Sequence, residues 1–199
     1  MSDTETYSLS EAAFVLGQPV SEVRRTIERK GIRCQLIVRG GRRMRALDHK
    51  TLAFLNWARD HQDEIKPALW QKLYANLTEH SVLPTHIDAG VFRVSLREAA
   101  QQVLRRLGAL RDQANQIEFT EDGDAVLKGT DVEVHRIAAL LQGDMSRDEV
   151  LGDYPSLSAD QVDLAVSYAA AHPKPGRPYP PLSAKAALRK ADLSALDAD

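Results

Sequence analysis

A group of arginines between residues 21 and 50 is the part of the sequence best suited to bind an anion. Ten basic residues stand there against three acidic ones, although the chain of 199 residues carries a net charge of only −2. Guanidinium groups donate forked hydrogen bonds to phosphate oxygens, and a flexible cationic turn can follow a nucleic-acid backbone or enter a minor groove. A solvated basic loop is the simpler alternative. The arginines that flank the pair Gly40-Gly41 are Arg39, Arg42, Arg43 and Arg45.

The residues from Leu9 to Val23, which overlap the start of this segment, have the spacing of a helix-turn-helix. Ala13, Gly17 and Val23 occupy the fifth, ninth and fifteenth positions of a window that starts at Leu9. A small alanine lets two helices cross closely, a glycine makes the turn, and a valine fixes the second helix. Other antiparallel helix pairs can show the same spacing, so the outer face of the second helix decides between the two interpretations.

That outer face has the chemistry of a recognition helix. If Val23 and Ile27 point inward, short polar and cationic side chains point outward, as a helix in a major groove requires. The candidate base-reading residues are Ser21, Arg24 and Arg25. Together with the Gly-Gly hairpin as a wing, they predict a winged helix-turn-helix DNA-binding domain over residues 1–80.

Local signals place the elements of this domain. Ser8 and Glu11 form a capping box, Gly17 and Gly31 end two helices, and Asp48 can cap a third. Pro67 suits the first turn of a further helix.

Residues 81–116 are predicted to be a bridging strand and helix. We expect a loop over 81–89, a short strand over 91–94, and a helix capped by Ser95 and Glu98. This helix carries an apolar stripe that could be intrachain core or the contact of a homodimer. Its members are Ala99, Ala100, Val103, Leu104, Leu107 and Leu110.

Residues 117–172 reverse the charge balance. Between Ile117 and Asp163 twelve acidic residues stand against three basic ones, which indicates a second module with a different partner. A hairpin turns at Asp122-Gly123, and three short helices follow. The second helix is predicted to open with a capping box at Ser146 and Glu149, and the third with one at Ser158 and Gln161. The fold class we expect is mainly α, with a winged helix-turn-helix followed by a three-helix homeodomain-like module and short β-hairpins.

Catalytic and metal-binding patterns do not emerge from the sequence. The six histidines are scattered, and Cys34 is the single cysteine. We therefore expect no enzyme activity, no metal and no cofactor. No apolar run reaches membrane-spanning length and no signal-peptide pattern is present, so the expected location is the cytoplasm, with no membrane partner.

Residues 128–173 resemble a bacterial domain of unknown function, number 433. The marks are a Gly-Thr hairpin, a "V-x-x-I-x-x-L-x-x-G" helix, a "Glu-x-hydrophobic" helix, a "Tyr-Pro-x-Leu" turn and a final Tyr-Ala; Asp131 stands where many members carry Arg. They fall here on Gly129, Thr130, Val134, Ile137, Leu140, Gly143, Glu149, Val150, Tyr154, Pro155, Leu157, Tyr168 and Ala169.

Such domains recur in proteins that resemble VapB-type antitoxins, and the first domain is similar to the DNA-binding head of MerR-like regulators. The resemblance implies a DNA-binding antitoxin that represses its own operon and neutralises a cognate PIN-type ribonuclease toxin. The Pro-rich basic tail, residues 173–199, would approach the toxin's acidic site. Its candidate toxin-binding residues are Arg177, Arg189 and Lys190. The alternative is a stand-alone helix-turn-helix transcription regulator whose C-terminal module mediates dimerisation or partner binding.

Overall fold

The computed structural model describes residues 5–143, 145–174, 176 and 179, and consists of helices and short antiparallel strands. The chain divides into two units, residues 1–111 and residues 112–199. Within the described residues there are eight helices and seven strands. The protein is therefore mixed α and β, and the expected mainly α class holds only in the coarse sense that helices predominate.

The first unit begins with a three-stranded antiparallel sheet whose strands are separated by two helices. The sheet order is β1-β3-β2, so β2 and β1 are its edges. The elements are β1 (Thr6–Ser8), α1 (Leu9–Leu16), α2 (Val20–Lys30), β2 (Gln35–Arg39), β3 (Arg42–Asp48), α3 (His49–Asp60), α4 (Pro67–Glu79), β4 (His86–Ala89), β5 (Phe92–Ser95) and α5 (Arg97–Ala114).

The helix signals predicted for α1 to α4 are confirmed. Ser8 and Glu11 make a reciprocal capping box at the start of α1. The Asp48 side chain accepts a hydrogen bond from the Thr51 N–H at the start of α3. Gly17 ends α1 with φ of 64°, a left-handed conformation that is strained for any residue with a β-carbon.

The core of the first unit lies between the helices and the sheet. An aromatic group made by Phe54, Trp70 and Tyr74 joins α3 to α4, with ring centroids 5.1 to 5.6 Å apart. The largest fully buried aliphatic side chains of the unit are Leu16, Leu47, Leu52, Leu73, Leu77, Ile87, Leu96 and Leu107.

The loop expected over 81–89 is wrong in its second half. Strand β4 pairs antiparallel with β5, with Ile87 opposite Val94. The four residues of β4 alternate, so that Ile87 and Ala89 are buried while the others are exposed. This short alternation was hidden by the neighbouring Pro84. At the next turn, Ser95 Oγ accepts a hydrogen bond from the Arg97 N–H at 3.4 Å, rather than showing the reciprocal box expected with Glu98.

The second unit combines one hairpin with three helices. Its elements are β6 (Ile117–Phe119), β7 (Ala125–Leu127), α6 (Val134–Gln142), α7 (Arg147–Asp153) and α8 (Ala159–Ala171). Capping boxes open α7 at Ser146 and α8 at Ser158, as predicted. The three helices and the hairpin enclose one core that includes Leu127, Ile137, Leu140 and Val162. No helix in the described ranges is both long and apolar enough to cross a membrane.

Candidate nucleic-acid interface

The α1–α2 pair is packed so that one face of α2 is buried and the opposite face is exposed to solvent. Val23 and Ile27 are buried, and these two positions lie four residues apart on one face of the helix. Gly31 ends α2 in the left-handed conformation, as predicted. The opposite face of α2 is consequently presented to solvent.

The three predicted base-reading residues occupy that exposed face. Ser21 lies in the first turn, and Arg24 and Arg25 follow it. Arg25 contacts Glu22 at 3.5 Å, an exposed pair that water and salt screen strongly. In the described part of the chain no carboxylate lies within ion-pairing distance of Arg24. Arg24 is thus an exposed cation of α2 without an acidic partner in that part of the chain.

The β2–β3 hairpin presents a second exposed surface, which we call the hairpin face. Because directly opposite residues of an antiparallel pair point to the same side, Leu36 shares this face with Arg45, and Val38 shares it with Arg43. The exposed fractions are 75% for Leu36 and 66% for Val38. The hairpin face therefore exposes two aliphatic and two cationic side chains to solvent.

The hairpin face and α2 are connected by an ion pair. Arg45 Nη1 lies 3.4 Å from Glu28 Oε1, a contact between side chains that remain about half exposed. Arg42 and Arg43 are exposed, and within the described ranges neither has a carboxylate partner. The hairpin therefore keeps two free arginines beside the turn, and Arg45 links their strand to the second helix.

Arg39 differs from the other predicted DNA-binding residues. Its Nη1 donates to both carboxylate oxygens of Glu11, at 2.8 and 2.9 Å, and its Nη2 donates to the Thr6 carbonyl at 2.9 Å. Glu11 is only 5% exposed and also accepts a hydrogen bond from the Ser8 N–H. A phosphate would have to compete with these contacts, so Arg39 has a structural partner where Arg42 and Arg43 have none.

Two ionisable side chains near this region have shifted pKa values. Burial raises the pKa of the Tyr7 hydroxyl, and the neighbouring Glu11 carboxylate adds to the increase. Burial also raises the pKa of the Cys34 thiol, while Arg45 opposes the increase. Both groups are therefore neutral near pH 7, and the positive charge of the hairpin is not offset by them.

On the acidic surface of the second unit, Lys174 lies beside two carboxylates. Lys174 Nζ lies 2.6 Å from Asp124 and 3.5 Å from Glu133. The hydrogen bond that Lys174 donates to Asp124 is the main cause of the raised pKa of Lys174. Tyr179 also donates a hydrogen bond to Glu133. The predicted toxin-binding residues Arg177, Arg189 and Lys190 lie outside the described residues.

Sequence reasoning missed several residues that build the cationic surface of the first unit. Glu11 was identified only as a capping residue, and the exposed Leu36 and Val38 were not singled out. The string "QLIVR" has three consecutive apolar residues, so its hydrophobicity does not reveal the hairpin face. The two-residue period of a strand is the signal that separates Leu36 and Val38 from Ile37. No group of three or more potential metal ligands occurs among the residues that the structure describes.

The described residues define a protein of helices and small antiparallel sheets with a cationic surface in its first unit. Residues 121–169 match the model of a family described as "Protein of unknown function (DUF433)", in agreement with the resemblance found in the sequence. The matched segment is less than half of the chain. It includes α6 and α7 and most of α8.

Comparisons beyond this family add little. No protein with a curated description matches the chain. A crystal structure of Rv2018 from Mycobacterium tuberculosis shares 14% sequence identity with it, over 81% of this chain and 96% of the other. The TM-score of that pair is 0.28, which is too low to support an argument about the fold. The similarity to antitoxins and to MerR-like heads stays a prediction.

Proposed function

We propose that the chain is a DNA-binding transcription regulator in which α2 is the recognition helix and the β2–β3 hairpin is the wing of a winged helix-turn-helix. The observation that carries the proposal is the joint exposure of uncommitted arginines on both elements, connected by the contact between Arg45 and Glu28. Unpaired exposed guanidinium groups on neighbouring elements suit a polyanion better than a neutral partner.

The two elements would have different tasks. Ser21 and Arg24, near the start of α2, would reach base edges, since a guanidinium group can donate two hydrogen bonds to a guanine. Arg42 and Arg43 would bind phosphates, which fixes position without reading sequence. Arg39 would act through Glu11, by holding the hairpin on the first turn of α1.

The test uses duplex DNA taken from directly upstream of the protein's own coding sequence. We expect the double variant Arg24→Ala/Arg25→Ala to lose specific binding in a fluorescence anisotropy titration. Arg93→Ala is the matched control, because Arg93 is an exposed cation of the same unit that lies on β5, paired with Asp88. Unchanged specific binding by the double variant would reject α2 as the recognition helix.

We further propose that this regulator is an antitoxin, which represses its own operon and neutralises a cognate PIN-type ribonuclease. The support is the resemblance of residues 128–173 together with the cations of the tail. Lys174, the first cation of the tail, already pairs with Asp124 and Glu133 of its own unit. The cations further along the tail are therefore the candidates for the toxin's acidic site.

Co-expression with the product of the adjacent gene tests the antitoxin role. We expect the full chain to copurify with that product and to suppress its ribonuclease activity. Deletion of residues 173–199 should release the activity while DNA binding persists. If the full chain neither binds nor inhibits the neighbouring product, the antitoxin role is rejected in favour of a stand-alone regulator, whose DNA binding is tested separately.

A further inference from the structure

The first unit contains a cleft beside α2 that shares only Arg25 with the proposed DNA interface. It lies between α2 and the corner that joins α3 to α4, and its volume is about 620 Å³. Pockets that bind small molecules typically measure about 300 to 1,000 Å³. The size of the cleft therefore suits a metabolite rather than a protein segment.

The floor of the cleft is apolar and comes from four parts of the fold. Leu16 ends α1, Val23 lies on α2, Leu55 lies on α3 and Trp70 lies on α4. All four side chains are buried. Such a floor favours a ligand with a flat apolar body, which can cover aliphatic side chains and the edge of the indole.

The rim of the cleft is cationic. Arg29 has no carboxylate within ion-pairing distance in the described part of the chain. Arg59 is held in place by hydrogen bonds to the Leu16 carbonyl and to Asp60. Lys30 lies over the Trp70 ring, 5.3 Å from its centroid. The charged rim residues are Arg25, Arg29, Lys30, Arg59, Glu22 and Asp63, so cations outnumber acids by four to two.

We propose that this cleft binds a small organic anion with a planar apolar body, such as an aromatic carboxylate. The body would rest on the floor beside Trp70. The anionic group would reach Arg29, whose fork can donate two hydrogen bonds to a carboxylate. Arg59, whose charge is partly offset by Asp60 at 3.0 Å, supplies a second, fixed guanidinium group on the α3 side.

Such a ligand would also affect α2. With about 3.6 residues per helical turn, Glu22, Arg25 and Arg29 share the face of α2 that lines the cleft, while Ser21 and Arg24 lie on the adjacent face. Arg25 is the residue that both surfaces contain. A bound anion would draw Arg25 away from DNA and so lower DNA affinity. This consequence rests on the proposed DNA binding, whereas the site itself does not.

The test is a nuclear magnetic resonance titration of the isotope-labelled full chain with 2-naphthoate. The chain has two tryptophans, of which Trp70 lines the cleft and Trp57 does not. We expect a saturable shift of the Trp70 indole N–H signal, with the Trp57 signal as an internal reference. A dissociation constant of about 1 mM or lower is expected for a ligand of this size.

Two variants on the same helix make the test specific. Arg29→Ala should weaken 2-naphthoate binding about tenfold, because a charge-assisted contact is lost. Arg24→Ala removes an equal charge outside the cleft and should leave binding unchanged. The neutral analogue 2-naphthamide should bind much more weakly than 2-naphthoate.

Several results would overturn the site: no saturable shift at Trp70, an equal shift in Arg29→Ala, or equal binding of 2-naphthamide. A shift at Trp70 caused by duplex DNA but not by 2-naphthoate would assign the cleft to the DNA backbone and also reject the proposal. The titration contains no DNA, so its failure and a failure of DNA binding are distinguishable. Competition between 2-naphthoate and DNA is then measured by anisotropy.

Discussion

At the scale of single residues, the ion pair between Glu11 and Arg39 is expected to contribute to the stability of the first unit. Glu11 is almost fully buried and binds Arg39 through both oxygens. Glu11→Gln keeps a side-chain acceptor for the Ser8 N–H but leaves the guanidinium without its counter-charge. We expect the free energy of unfolding to fall by about 1 to 3 kcal/mol, measured by urea denaturation.

Glu28→Gln is the matched control for that measurement. Glu28 pairs with Arg45, but both side chains are more than half exposed, at 59% and 51%. Exposed pairs contribute about 0 to 1 kcal/mol, so this variant should be nearly as stable as the parent. Equal losses in the two variants would contradict a structural role specific to Glu11.

Cys34 provides a pH-dependent prediction. Burial raises the pKa of its thiol above the ordinary value of 9.0, so folding favours the protonated form. This contribution to stability is complete below pH 9.0 and is lost as the pH rises through the folded-state pKa. The rate of iodoacetamide alkylation should show its inflection above 9.0 in the folded chain and near 9.0 in urea.

Arg45→Ala refines the thiol measurement. Arg45 lowers the pKa of Cys34, so its removal should move the folded-state inflection to still higher pH. A change in accessibility alone would alter the rate without moving the inflection. A folded-state inflection at or below 9.0 would show that the thiol is not desolvated.

At the scale of elements, the Gly40-Gly41 turn determines whether the hairpin can form. Arg39 pairs with Arg42, so the loop contains two residues, and their φ angles are 54° and 72°. Positive φ at both positions is the requirement of a type I′ turn. A β-carbon at Gly40 would meet nothing within 4 Å, so only backbone strain opposes a substitution there.

Gly40→Val should therefore destabilise the first unit by about 1 to 3 kcal/mol, because a β-branched residue is strained at positive φ. Gly40→Asn should be nearly neutral, since Asn-Gly is favoured in this turn. Thermal unfolding followed by circular dichroism measures both. A neutral valine variant would mean that the turn relaxes to another type.

At the scale of the whole molecule, the segregation of charge predicts how DNA binding depends on salt. The arginine-rich segment lies in the first unit and the acidic segment in the second. Loss of one phosphate contact lowers the slope of log affinity against log salt by about 0.9. We expect Arg42→Ala to weaken binding to all sequences alike and to reduce the slope by about one unit or less. An unchanged slope would remove Arg42 from the phosphate contacts.

Oligomeric state is a second prediction at this scale. One short recognition helix reads few base pairs, and a symmetric dimer on two half-sites is the usual remedy. The α5 stripe is mostly buried, but Leu104 is 51% exposed, so a dimer contact there would use that residue alone. We expect at least a dimer by light scattering at micromolar concentration. A monomer that still binds operator DNA would reject the dimer.

The sequence alone determined the features that depend on neighbours within a turn or two. The capping boxes of α1, α7 and α8 were readable because their hydrogen bonds join residues three positions apart. The turn at Gly40-Gly41 was readable because glycine is the residue that takes positive φ without strain. The unequal distribution of charge along the chain can be counted from the sequence without a structure.

Only the tertiary structure decided which of those charges are free. Arg39 and Arg42 are indistinguishable in the sequence, but the strand register directs Arg39 to Glu11, which lies 28 positions earlier in the chain. The cleft could not be predicted from the sequence either, because the side chains of its floor come from four different helices. Contacts between distant residues depend on how elements pack, and packing is a property of the whole unit rather than of any local segment.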